Sequence, residues 1–115
     1  MILKLNEKEY ELRFPNSVIR KICKKYNWSF ADIITKIEKV GLDLSPDQVF
    51  YIMLYGLQYN NKINEGEFEK LLDACDYNEG DLLEFIITEL LESFPDFKKK
   101  MTEMKGLITT KILTD

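Results

Sequence analysis

Apolar residues recur every second position at the start of the chain. Leu3 and Leu5 share one side, and Tyr10, Leu12 and Phe14 share a side after the polar break Asn6, Glu7, Lys8 and Glu9. That alternation predicts a β-hairpin over residues 1–14. A lone hairpin is marginal in water, so its apolar face needs a helical layer over it. Pro15 ends the second strand, and Asn16 or Ser17 is placed to cap a helix reaching about Tyr26. Val18, Ile19, Ile22, Cys23 and Tyr26 follow a helical period there, with Arg20, Lys21, Lys24 and Lys25 on the other side.

The helical period continues in four more segments. Ser29 and Asp32 mark an N-terminus for Phe30, Ile33, Ile34, Ile37 and Val40, with Gly41 placed as the C-terminal cap. Ser45, Pro46 and Gln48 predict a capping box. The helix they open runs to about Tyr59 or Asn60 and is apolar nearly all round, which suits a central helix or one in an interface. Asn64 with Glu67 starts a fourth helix carrying Phe68, Leu71, Leu72 and Cys75. Asn78 with Asp81 starts a fifth, with Leu82, Leu83, Ile86, Ile87, Leu90, Leu91 and Phe94 on one broad stripe until Pro95 breaks it. Lys98, Lys99 and Lys100 follow, and residues 107–113 are rich in Ile and Thr, suited either to an added strand or to a loose tail. The expected fold is α+β, mainly α: one domain over residues 1–115, its hairpin packed on a bundle of about five helices spanning 16–97, with 98–115 a basic helix extension or tail.

At 115 residues, 45% of them hydrophobic, the chain matches one domain with one core. No apolar run reaches the roughly 18 residues of a membrane span. The opening Met1, Ile2, Leu3, Lys4, Leu5 lacks the pattern of a signal peptide, so no membrane association and a place in the cytoplasm are expected. Cys23 and Cys75 fall on apolar helix sides, which predicts buried thiols and no disulfide.

Charge is distributed unevenly. The total is −4, which argues against nucleic-acid binding. Residues 1–40 hold nine Lys/Arg against five Asp/Glu, residues 41–97 hold two against thirteen, and the remainder five against two. Such segregation is open to pairing within the fold, pairing between copies, steering of a basic partner, or plain solvation.

Catalytic chemistry is scarce. With no histidine, imidazole-based triads and His-containing zinc sites are excluded, and two scattered cysteines do not make a four-cysteine site. Asp76, Asn78 and Gly80 mimic the start of a calcium loop. The loop's glycine position holds Asp81, however, and its closing acidic position holds Ile87. No catalytic residue, metal or cofactor is expected, and protein binding is the remaining class of function.

Three sets of residues are candidates for that binding. Tyr51, Tyr55 and Tyr59 recur every four residues as one stripe, suited to an interface or to the rim of the chain's own core. Phe85 lies opposite the apolar stripe of its helix, with Glu89 and Glu92 on the same side, as an anchor in an acidic rim, as an isolated exposed ring, or under a second layer. Arg20, Lys21, Lys24 and Lys25 are the candidates for self-association, meeting the acidic fourth or fifth helix of another copy head to tail and making the chain a homo-oligomer.

The hairpin LKLNEKEYELRF, a helix ending in KKY, a second amphipathic helix and a capped apolar third together resemble the tail assembly chaperones of long-tailed phages and prophages over roughly residues 1–60. A common turn in that family places Gly after the Asn, where this chain has Glu7. The resemblance implies a virus-encoded, non-enzymatic chaperone of the bacterial cytoplasm, absent from the mature virion. It would coat the tape measure protein and help recruit tail tube subunits, often alongside a longer frameshifted product. The competing expectation is a small acidic immunity or antitoxin-like protein that caps a single partner.

Overall fold

The computed structural model describes residues 1–38 and 44–95. It is mainly α with a small β part: a two-stranded antiparallel hairpin followed by five helices. Strands β1 (Ile2–Leu5) and β2 (Lys8–Glu11) pair Ile2 with Glu11, Leu3 with Tyr10, Lys4 with Glu9 and Leu5 with Lys8. Asn6 and Glu7 form the two-residue turn, both left-handed, with φ of 51° and 70°. This is the primed turn whose twist matches that of the strands. Asn tolerates the conformation, whereas Glu7 holds it against its own Cβ.

The helices are α1 (Asn16–Tyr26), α2 (Phe30–Glu38), α3 (Pro46–Gln58), α4 (Glu65–Ala74) and α5 (Glu79–Glu92). Capping boxes close at Ser45 with Gln48 and at Asn78 with Asp81. Ser29 and Asp32 exchange the same reciprocal bonds, and Asn64 caps α4 through the Glu67 N–H. The expected cap of α1 at Asn16 or Ser17 is corrected: Pro15 is the N-cap, with no side-chain hydrogen bond. Its extended backbone already aims its carbonyl at the N–H groups of Val18 and Ile19 (2.9 and 3.0 Å), so Asn16 and Ser17 fall inside the first turn. Asn27 ends α1 in the left-handed conformation with φ 55°. Gly41, Val40 and the whole of 98–115, for which a C-terminal cap, a strand and a tail are expected, lie outside the described residues.

Helix α3 is the centre of the core and packs against both α1 and α5. Val49, Ile52, Met53, Leu54, Gly56 and Leu57 are buried along it. The hairpin's inner face, Leu3, Leu5, Tyr10, Leu12 and Phe14, joins the same core. Gly56 sets how closely they approach, because a Cβ there would lie 2.6 Å from Leu12 Cδ1 and 2.8 Å from the Phe14 ring. The Gly56 carbonyl accepts from the Arg13 N–H at 3.1 Å, tying the helix to the chain leaving β2. Asn61 reaches the outer edge of β2, accepting from the Glu11 N–H and donating to the Glu11 carbonyl (3.4 and 2.8 Å). A side-chain amide thus stands where a third strand would pair.

The expectation of buried thiols is corrected as well: Cys23 and Cys75 are free and only half-buried. Cys75 falls at the C-cap of α4, past the last helical turn, and so leaves the apolar side. Burial, then the charge of Asp32, pushes the Cys23 thiol above its ordinary pKa, keeping it protonated and unreactive. No helix among the described residues is long and apolar enough to cross a membrane.

Candidate protein interaction surface

Two of the candidate sets meet within one molecule. Lys21 and Lys25 are one turn apart on α1, and Tyr51 and Tyr55 are one turn apart on α3. Lys25 Nζ sits 4.1 Å from the centre of the Tyr51 ring, and Lys21 Nζ 4.5 Å from that of Tyr55. Both rings are half-buried beneath these ammonium groups. At the far end of its ring Tyr51 donates its hydroxyl to Glu65 Oε1 at 2.7 Å. Tyr51 therefore stands as a seam between a basic and an acidic surface. That hydrogen bond, the largest cause, pushes its phenol above the ordinary pKa.

On the acidic side α3 and α4 flank a groove of about 410 Å³, with Phe50 and Leu72 beside Asp47, Glu65, Glu69 and Asp73. Elsewhere on α1, Arg20 and Lys24 are exposed. Behind the seam the Tyr26 hydroxyl is buried without a hydrogen-bond partner among the described residues, and its ring lies 4.8 Å from that of Trp28. Burial raises its pKa first, with the Tyr55 and Asp47 side chains adding to the shift.

Tyr59 stands apart from the seam. It is 53% exposed and lines a second groove with Arg13, Asn16, Glu89, Glu92 and Ser93. The structure thus gathers Tyr59, Glu89 and Glu92, although Glu89 does not serve as an exposed contact there. It is 8% exposed and forms an ion pair with the Met1 α-ammonium. Helical spacing places Glu89 on the polar side of α5, but Met1, the residue before β1, meets it there through its α-ammonium. For Phe85 the structure excludes the isolated exposed ring among the alternatives the sequence left open. Phe85 is half-buried, and its ring meets Tyr77 edge to face at 5.1 Å, because the chain entering α5 folds back beside the helix.

A further surface escaped the sequence pattern. The broad stripe of α5 divides: Leu82, Ile86 and Leu90 are buried, while Leu83, Ile87, Leu91 and Phe94 pack on the core yet stay half-exposed. Phe94 meets Phe30 edge to face at 6.3 Å, and Phe30 is 42% exposed, so this half-covered apolar row continues onto α2. The width of the stripe was its only trace in the sequence, since one helix side seldom buries seven large residues in so small a domain.

No family model, curated protein or solved structure matches the chain. Among the described residues no group of three or more His, Cys, Asp or Glu side chains is arranged to hold a metal ion.

Proposed function

We propose that this chain is a non-catalytic, protein-binding chaperone of phage tail assembly, holding the tape measure protein and helping to bring tail tube subunits to it. The observation that carries this reading is the half-exposed row Leu83, Ile87, Leu91, Phe94 and Phe30. A tape measure protein is a long, helix-prone chain, and before the tube surrounds it its apolar stripes need covering. A shallow apolar row about three turns long accepts such a stripe from the side and releases it again, because it offers no deep pocket. The resemblance of residues 1–60 to the tail assembly chaperones supports the same assignment. The chain acts on this reading in the cytoplasm of the bacterial host and leaves before the virion is complete.

Co-expression tests the assignment. The soluble fraction of an otherwise insoluble tape measure protein should rise with the ratio of this chain to it. Leu91→Glu should abolish the rise while the variant stays folded. An unchanged soluble fraction across all ratios refutes the assignment. Gene order gives an independent check: a tail tube gene upstream and a very long reading frame downstream support it, whereas an adjacent toxin gene supports a single-partner cap.

A further inference from the structure

We infer that the face where α1, α3 and α4 meet binds a second copy of this chain, as a closed two-fold dimer. No ion pair among the described residues neutralises the charges of this face. Among the described residues the ion pairs are Met1 with Glu89 and Arg13 with Glu11, and neither joins the basic side of α1 to the acidic groove. Lys21 and Lys25 stand on one side of the seam, Glu65, Glu69 and Asp73 on the other. Across it run Tyr51 and Tyr55, their ring centres 6.3 Å apart.

The arrangement selects the occupant and its symmetry. A head-to-tail contact needs complementary surfaces that point away from each other. Here both signs lie on one face, joined through a single residue, Tyr51, with Lys25 over its ring and Glu65 on its hydroxyl. Such a surface is complementary to itself. A two-fold axis near the tyrosines lays the basic half of each copy on the acidic half of the other and closes the assembly at two. The tyrosines suit the centre, since their rings pack while their hydroxyls keep a polar partner. A closed pair, rather than the head-to-tail ring or spiral that the charge pattern also allows, is the inferred assembly. The dimer does not depend on what the α5 row binds.

Sedimentation equilibrium on the full chain tests this without any partner. At low ionic strength the mass should be twice that of the chain. Added salt should weaken the association by roughly tenfold or more, because exposed charges are screened. Lys25→Glu and Glu69→Lys each reverse an exposed charge and should each give a folded monomer. An equal mixture of the two should recover the dimer, since both contacts across the axis are then again opposite in sign. A strict monomer at low salt, a larger assembly, or a dimer indifferent to salt and to both reversals overturns the inference.

Discussion

The Met1 α-ammonium meets the carboxylate of Glu89 on α5, and the same ammonium donates to the Leu12 carbonyl at 3.1 Å. This pairing fastens the first residue of the hairpin onto the last full turns of the last described helix. Both charged groups are largely covered, at 21% and 11% side-chain exposure, so removing one partner strands the other in a poorly solvated place. Glu89→Ala should cost about 2 kcal/mol, below the cost of breaking a fully buried pair, and Glu89→Gln less because it keeps an acceptor. Urea unfolding of the two variants checks the order. If Glu89 were instead a partner contact, both would leave the midpoint unchanged.

Gly56 should resist replacement, although alanine ordinarily favours a helix. The Leu12 and Phe14 side chains leave no room for a Cβ. Gly56→Ala should lower stability by about 1–2 kcal/mol, the overpacking cost outweighing the helix-propensity gain of roughly 1 kcal/mol. A shift of the urea midpoint to lower concentration, with an unchanged slope, is the expected record.

Glu7 offers the opposite opportunity. Its φ of 70° is one that glycine adopts freely. Glu7→Gly should raise stability by about 1 kcal/mol, which thermal unfolding reads as an increase of roughly 4–8 °C for a domain of this size.

Tyr51 sets an alkaline limit. Its phenol proton is held by Glu65, so its folded pKa lies above the ordinary value of about 10. The sign follows from the raised value: the stabilisation is fully present below the unfolded pKa and is lost as pH rises through the folded one. Phenolate absorbance should show Tyr51 titrating late. Glu65→Gln should bring that titration down toward the ordinary range.

Much of the fold was legible in local chemistry. The period of two with the Asn6–Glu7 turn, the boxes at Ser45 and Asn78, and the all-round apolar α3 each encode an element within a few residues of itself. Contacts formed between distant segments were not legible. Nothing near Glu89 reveals that Met1 will meet it, and nothing near Phe85 shows Tyr77 folding back. Lys21 and Lys25 share the four-residue spacing of Tyr51 and Tyr55, a hint that two antiparallel helices would pair them, but spacing alone does not say which helices become neighbours.

The division of the α5 stripe was hidden for the same reason. Leu82 and Leu83 are chemically alike, and only the position of α3 decides that the first is buried and the second half-exposed.

The number of copies bound to one tape measure protein tests the central claim most directly. Light scattering on the purified complex should give many copies of this chain per tape measure protein, and a tape measure shortened by half should carry about half as many. A single copy regardless of length, or no complex at all, would contradict a coating chaperone and leave a one-partner cap or another function in its place.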